Sequence, residues 1–425
     1  MNMTQVEGGP TIAILGAGIG GLAIAIGLIK RGVAVTIYEA SPTFPPVGAG
    51  IGLGPNALNS MDILDHRFRE MYDQVKTANE RPEFLHSIFD ALYAEEGFGE
   101  RRGWTRGLVG APYFTRSSAH RRDLLNIMEQ FVPRDTIKFE KRAKTISQSD
   151  KGVTIKFFDG EVVAFDALIG CDGVKGMTRQ VVLGDIAPEQ VAPRYTGVYS
   201  YRGIIPMKKA KEILGTHAGD AKWFMSKGKG MALYPITQGE EENFIFFIVD
   251  TRQTRLTTDV AVPCSKYEML QDLQDFDPRL RQLLDYARPL RWPLMHHPET
   301  ETYCKGRICL LGDVAHASTP YQAAGAGQGL EDAVVLSHLL ALVKNPDQLN
   351  AAFQVYDTVR RPRAQKVVTT SHEAGIMYMW QNPNIGDDMN RIVENGNQRL
   401  HWIWQHDLKT DVKKAEDLFL ASISE

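Results

Sequence analysis

Cysteine is scarce in this chain of 425 residues, which contains only Cys171, Cys264, Cys304 and Cys309. No two of them form a Cys-x-x-Cys pair, and their wide spacing excludes the disulfide framework of a small secreted protein. Cys304 and Cys309 follow His296 and His297, but this spacing matches none of the usual zinc patterns. We therefore expect reduced thiols, no metal site and a cytoplasmic location.

An excess of one charge is also lacking, because 48 Lys and Arg residues stand against 51 Asp and Glu residues, a formal net charge of −3. A nucleic-acid partner would need a concentrated basic face. The densest basic cluster, residues 360–363, is interpreted as the solvated end of a helix. Since no repeat or low-complexity tract is present either, the composition is typical of a soluble globular enzyme that binds no nucleic acid.

Only one hydrophobic run, residues 11–29, approaches the length of a membrane span. It contains five glycines, no basic residue precedes it, and no signal-peptide cleavage site follows. The run divides more naturally into a buried strand, a glycine turn and a helix that ends before Gly32, where a residue free to take positive φ is favoured. We therefore expect no membrane segment.

The glycine turn carries a nucleotide-binding fingerprint. Gly16, Gly18 and Gly21 satisfy G-x-G-x-x-G between the strand and the helix, and a second apolar strand ends in Glu39. The first glycine permits the tight turn, the second lets backbone approach a pyrophosphate, and the third lets helix and strand pack closely. The acid binds a ribose hydroxyl. The whole unit predicts dinucleotide binding.

A second glycine-rich stretch, residues 47–58, follows a proline-rich loop instead of a strand. The context of a second nucleotide fold is therefore missing, and we predict a flexible loop ahead of a helix.

The rest of the chain changes character twice. Hairpin signals near Gly152 and Gly160 lead to strands at residues 197–205, 230–236 and 243–250, and the pattern after Ala324 is helical. This order predicts an α/β fold in which a nucleotide-binding lobe is interrupted by an antiparallel sheet. We place the first part of the lobe at residues 10–187, the sheet domain at 188–290, the second part of the lobe at 291–372 and a helical segment at 373–425.

Several motifs together resemble the single-component FAD-dependent aromatic hydroxylases, close to salicylate hydroxylases and fungal monooxygenases of polyketide phenols. They are the glycine turn, "AHRRDLL" with Arg121, "CDG" with Asp172, "GD" with Asp313, and the loop "GAG" of Gly325, Ala326 and Gly327. The resemblance implies a Rossmann-like FAD-binding domain of the glutathione-reductase and p-hydroxybenzoate-hydroxylase type, with an inserted substrate sheet. It also implies that these residues, with Glu39, Gly50 and Gly52, bind FAD.

The chemistry implied by the resemblance uses NADPH or NADH to reduce the flavin and dioxygen to form a flavin hydroperoxide, which hydroxylates a small phenol. Arg202 and Tyr234 match the residues that hold the phenolate in related fungal enzymes. A cation there favours the reactive phenolate form. The alternatives are a surface or protein-paired charge for Arg202 and a core tyrosine for Tyr234. Many relatives carry a histidine where this chain has Tyr321, so that histidine's role does not transfer; Tyr321 either contacts the substrate or fills space.

Other functions stay open at this level. A halogenase would need a W-x-W-x-I-P signature, whereas Gln405 and His406 follow Trp402-Ile-Trp404 here. An oxidase, a dehydrogenase or a non-catalytic binding protein on the same scaffold is separated by flavin content and by products. The identity of the phenol, the site of hydroxylation, an accompanying decarboxylation or dearomatisation, the choice of NADH or NADPH and a homodimer are all open.

Overall fold

The computed structural model describes residues 9–44, 49–251 and 261–424. Within these residues the strands, in chain order, are β1 (Thr11–Leu15), β2 (Ala34–Tyr38), β3 (Gly50–Gly52), β4 (Ser87–Tyr93), β5 (Leu108–Gly110), β6 (Ser118–His120), β7 (Ile137–Lys138), β8 (Ala143–Ser149), β9 (Gly152–Phe157), β10 (Val162–Phe165), β11 (Ala167–Gly170), β12 (Arg194–Pro206), β13 (Lys222–Ser226), β14 (Lys229–Ile236), β15 (Glu241–Val249), β16 (Val262–Pro263), β17 (Leu290–His296), β18 (Cys304–Lys305) and β19 (Ile308–Leu310).

The α-helices of the same residues are α1 (Ile19–Lys30), α2 (Pro55–Leu64), α3 (His66–Val75), α4 (Arg121–Glu129), α5 (Met177–Leu183), α6 (Met207–Leu214), α7 (Lys266–Asp272), α8 (Pro278–Gln282), α9 (Asp313–His316), α10 (Gly325–Leu342), α11 (Leu349–Tyr378), α12 (Met389–Arg399), α13 (His401–Trp404) and α14 (Leu408–Ser422). None of the described helices is long and apolar enough to cross a membrane.

A six-stranded sheet in the order β18-β19-β11-β1-β2-β7 forms the centre of the first lobe. It is parallel except for the pairing of β18 with β19, and α1 packs between it and the buried helix α10. The predicted strand, turn and helix of residues 11–29 are present as β1 and α1. Gly32 takes φ +75° just after the helix, the left-handed conformation that a glycine adopts without strain.

An eight-stranded, largely antiparallel sheet in the order β16-β17-β12-β15-β14-β13-β4-β5 forms the second layer. The strands predicted near residues 197–205, 230–236 and 243–250 are β12, β14 and β15, and they are adjacent at its centre in the order β12-β15-β14. One face of the sheet packs on α6 to α8, and the other faces the first lobe and α11. The sheet also contains β4 and β5, which come from residues 87–110. The domain boundaries at residues 187, 290 and 372 stay a prediction.

The second glycine-rich stretch differs in part from its prediction. Its described residues form the short strand β3, which pairs with β6, and then α2 with Pro55 in its first turn. Residues 47 and 48 lie outside the described part of the chain. Residues 50–52, for which the sequence predicted a flexible loop, are therefore an ordered strand, and Gly50 and Gly52 line a cavity that is described below.

The interpretation of residues 360–363 as a solvated helix end is wrong. They lie inside the long helix α11, where Arg360 is fully buried and ion-paired to Asp332 at 2.9 Å and to Glu331 at 2.8 Å. Arg363 also pairs with Glu331, at 2.7 Å. Arg360 and Arg363 therefore hold α11 against α10 through buried ion pairs.

Candidate active site

A cavity of about 550 Å³ lies where β1, β2 and β11 end, at their carboxyl edge. Parallel sheets bind nucleotides at this edge. Among the residues that line it are five of the predicted FAD contacts, namely Gly16, Gly18, Glu39, Arg121 and Asp172. The structure thus brings together residues that the sequence separates by more than 150 positions.

The three fingerprint glycines fit a bound dinucleotide in three different ways. Gly16 has φ +99°, and a Cβ atom there would lie 2.3 Å from the carbonyl oxygen of Cys171. A Cβ at Gly21 would lie 1.9 Å from the carbonyl oxygen of Gly16, so helix and strand could not approach as they do. Gly18 has no atom within 4 Å of that position, which leaves the space open toward the cavity for a pyrophosphate.

Glu39 closes the far side of the turn. Its carboxylate accepts hydrogen bonds from the backbone N–H groups of Ala17 and Ser41, each at 2.8 Å. These bonds fix the carboxylate at the end of β2, where the fingerprint predicts a ribose hydroxyl.

Arg121 is the first residue of α4, and burial lowers its pKa while Asp313 and Glu39 favour its charge. Asp313 itself is exposed at the start of α9. Asp172 lies at the cavity wall, but it also accepts from the backbone N–H of Thr178 at 3.0 Å in the first turn of α5. Burial raises the pKa of Asp172. Its carboxylate therefore has a structural partner in addition to the predicted cofactor.

A second cavity of about 250 Å³ separates β3 from the start of α10. Gly50 and Gly52 line one side, and Gly325 and Ala326 line the other. The helix begins at Gly325, so the amides of its first turn are available for a flat anionic ring. Gly327 points away from the cavity, and a Cβ there would lie 3.0 Å from the side chain of Asn56 on α2.

Aromatic rings form the wall of this cavity on the sheet side. Trp223 and Phe247 stack with 5.4 Å between ring centroids, and the Tyr321 ring lies 5.1 Å from Phe247. The Tyr321 hydroxyl and the Trp223 indole N–H are buried and have no hydrogen-bond partner among the described residues. An apolar cavity with a few unpaired polar groups is suited to a small aromatic ligand.

Tyr234 lines the same cavity, and its hydroxyl donates to the carbonyl oxygen of Gly50 at 2.8 Å. Burial raises its pKa to about 12, so the phenol stays protonated at neutral pH. Arg202 pairs across the sheet with Ile245, and Ile245 pairs with Ala232. Directly opposite residues share a face, so Arg202 stands one strand beyond the wall formed by Ile245.

Arg202 has no ion pair or hydrogen bond to any described residue. Its Cζ atom lies 3.6 Å from the centroid of the Trp292 ring. Burial lowers its pKa to about 10, and both Tyr234 and Arg121 influence it electrostatically. The structure therefore places Arg202 and Tyr234 near each other and near the predicted flavin contacts.

Sequence reasoning missed Arg116, which lines the small cavity and is only 6 % exposed. Its guanidinium lies 4.7 Å from the centroid of the Tyr234 ring. Arg116 lies three residues before the "AHRR" motif, but nothing in the sequence distinguishes it from a surface arginine. No cluster of metal-ligating side chains occurs in the described ranges.

Comparisons with known proteins agree with this geometry. The model of the FAD binding domain family matches residues 10–371. An FAD-dependent monooxygenase of Gibberella moniliformis is 40% identical over 419 residues, 95% of each chain. A salicylate hydroxylase of Pseudomonas putida is 33% identical over 423 residues, which is 96% of this chain and 95% of the relative.

A solved salicylate hydroxylase in a substrate complex superimposes with a TM-score of 0.84 at 28% identity, covering 96% of this chain and 98% of that structure. The HpxO protein of Klebsiella pneumoniae, solved with FAD and uric acid, has the same fold with a TM-score of 0.70 at 22% identity. The predicted fold class and the FAD cofactor are thereby confirmed. The chain belongs to the FAD-dependent monooxygenases with this FAD binding domain, of the salicylate hydroxylase type.

Proposed function

We propose that the protein hydroxylates a small phenolic aromatic, either a salicylate-like acid or a polyketide-derived phenol, and consumes NADPH or NADH in doing so. The observation that carries the proposal is Arg202, a cation one strand beyond the aromatic cavity that has no ion pair or hydrogen bond to any described residue. A cation left unpaired in a partly dry site is unfavourable unless a ligand anion completes it. A phenolate oxygen is such an anion.

The reaction consumes one dioxygen and one NAD(P)H with a proton, and it yields the hydroxylated ring, NAD(P)⁺ and water. FAD, when bound and reduced, supplies the oxygen-activating chemistry. The chain's own residues orient the ring and exclude water. Trp223, Phe247 and Tyr321 hold the ring in an apolar space, because access of water would divert the reaction to hydrogen peroxide.

Arg202 and Tyr234 act on the phenolic oxygen in this proposal. The guanidinium stabilises the phenolate, whose electron-rich ring attacks oxygen far better than the phenol does. Tyr234 is a neutral donor, since its raised pKa keeps its proton in place, and the proton turns from the carbonyl oxygen of Gly50 to the substrate. We propose that Tyr321 contacts the substrate with its unpaired hydroxyl; burial raises its pKa also, so it is a donor and not a base.

A coupled assay tests the proposal. The purified holoprotein is mixed with NADH or NADPH, oxygen and one phenol at a time from a set of salicylates, resorcinols and orcinaldehyde-type phenols. We expect a phenol-dependent rise in reductant consumption and a product heavier by one oxygen atom, or lighter where carboxylate is lost. Consumption that yields only hydrogen peroxide with every phenol would contradict hydroxylation and indicate an oxidase.

A further inference from the structure

The guanidinium of Arg116 is a second cation at the substrate cavity. Arg116 lies in the loop before β6, and its Nη1 donates to the carbonyl oxygen of Ile88. Its Nε atom is buried and has no hydrogen-bond partner among the described residues. One face of the group is occupied by the Tyr234 ring, and Gly52 lies beside its Nη2.

No carboxylate neutralises Arg116 within the described ranges. The acidic group with an electrostatic influence on it is Glu242, which is fully buried. Burial raises the pKa of Glu242 to about 8, so this carboxyl is mostly protonated at neutral pH. Burial also lowers the pKa of Arg116, but only to about 10, and the guanidinium stays charged.

A buried charge without a counter-ion is strongly unfavourable, and the remaining N–H donors of Arg116 lie at a cavity that admits a ligand. Planar guanidinium groups bind carboxylates through paired hydrogen bonds. Arg202 stands one strand beyond the wall formed by Ile245 and interacts electrostatically with Tyr234, so a ring bound in the cavity has a second cation nearby for a separate anionic oxygen.

Building on the proposed function, we propose that Arg116 binds a carboxylate of the substrate, so that the enzyme selects a phenolic acid over a neutral phenol. Arg202 then serves the phenolate and Arg116 the acid group. Arg116 is a specificity-determining residue in this account; it contributes to binding of the substrate and not to its activation.

The test compares two probes of nearly equal shape, salicylate and its neutral amide, salicylamide. Their dissociation constants are measured from the change in flavin absorbance of the holoprotein without reductant, so no turnover is involved. We expect wild type to prefer salicylate. Arg116→Met should weaken salicylate about ten- to a hundredfold, the range of a charge-assisted hydrogen bond, and should change salicylamide by less than about threefold. Arg116→Lys keeps the charge and should retain part of the preference.

Two comparisons separate the alternatives. Arg291→Met removes a guanidinium of the same sheet that is ion-paired to Glu268 at 2.7 Å away from the cavity, and it should alter neither constant. Arg202→Gln should weaken both probes, because both carry the phenol. Flavin content and thermal unfolding of each variant establish that it is folded.

An equal loss for the two probes in Arg116→Met, or no preference for salicylate in wild type, would overturn the assignment. The second outcome needs no variant, so the test survives a variant that fails to fold. If wild type hydroxylates neutral phenols without preferring acids, only the role of Arg116 fails. If it hydroxylates no phenol at all, the proposed function fails.

Discussion

Two glycines only three residues apart in the nucleotide turn have different physical reasons to be glycine. Gly21 must lack a side chain because the protein itself fills the space, while at Gly18 the space is open and only a ligand would fill it. The φ of Gly18 is −75°, which any residue can adopt. A methyl group at Gly21 should therefore destabilise the folded protein, whereas a methyl group at Gly18 should weaken FAD binding.

Gly18→Ala should leave the thermal stability of the flavin-free protein near that of wild type and weaken FAD binding by an order of magnitude or more. Gly21→Ala should lower the stability of the flavin-free protein itself, by about 1–3 kcal/mol or more as for other overpacked sites. Flavin titration by fluorescence and thermal unfolding of the flavin-free protein measure the two effects. A Gly18→Ala variant with wild-type FAD affinity would contradict the placement of the pyrophosphate.

Arg202→Gln keeps much of the side-chain volume and removes the charge. If Arg202 stabilises a phenolate, hydroxylation efficiency should fall roughly ten- to a hundredfold, while flavin reduction without substrate changes little. Tyr234→Phe should lose less, since it removes a neutral donor. The informative measurement is efficiency against the acidity of substituted phenols, and Arg202→Gln should lose most on weakly acidic ones. Parallel lines for wild type and variant would assign Arg202 another role.

At the scale of elements, α11 supports the cavity from outside. A Cβ at Gly375, in the last turns of this helix, would lie 2.2 Å from Cε2 of Tyr321. The Tyr321 ring thus rests on the helix backbone, and the helix determines how far the ring extends into the cavity.

Gly375→Ala should push Tyr321 toward the substrate and raise the dissociation constant for salicylate several-fold or more, without changing flavin content. Tyr321→Leu shortens the side chain, so the double variant should lose less thermal stability than the sum of the two single variants. Additive losses of stability would show that the ring and the helix do not press on each other.

Local patterns explain which elements the sequence revealed. The turn from β1 into α1, the acid at the end of β2 and the central strands β12, β14 and β15 each depend on neighbours within a few residues. One neighbour of β4 in the sheet is β13, some 130 residues later in the chain, and no local pattern specifies that pairing. The buried state of Arg360 likewise depends on Asp332 and Glu331 on another helix, so its charge suggested a surface position.

The candidate site divides in the same way. The glycine turn and Glu39 could be predicted because a dinucleotide imposes glycines and an acid at fixed spacing. Arg121, Asp172 and Asp313 were inferred from the resemblance, and their contacts with FAD stay a prediction. Arg202 and Tyr234 were found through resemblance, since an arginine in an apolar strand has several explanations. Arg116 could not be predicted, because its lack of a counter-ion is a property of the assembled cavity and not of its neighbours in the chain.

For the whole molecule, stability should decline on acidification through buried histidines. Burial lowers the pKa of His297 to about 3 and those of His217 and His296 to about 4. The folded protein keeps them neutral, whereas the unfolded chain binds protons below a pH of about 6.5. The free energy of unfolding therefore falls as the pH drops from about 6.5 toward 4, by up to about 1.4 kcal/mol per pH unit for each histidine.

His297→Gln can still donate to the carbonyl oxygen of Val174, the partner of His297 Nε2 at 3.0 Å. Urea unfolding at pH 7 and pH 5.5 should give a smaller difference for this variant than for wild type. His66→Gln is the exposed control: nearby Asp62 raises the pKa of His66, so its removal should have a slight effect of the opposite sign. An unchanged pH dependence in His297→Gln would contradict the burial argument.

The unpaired cations of the substrate cavity also affect the whole chain. Arg116 and Arg202 are locally frustrated in the sense of the folding landscape, because packing among the described residues leaves each cation without a counter-ion. An unreactive anion such as benzoate would relieve that frustration and, by linkage, stabilise the folded chain in proportion to its occupancy. Proteases cleave unfolded chains, so the lifetime of the protein in a cell would increase with the concentration of aromatic acids that bind this cavity.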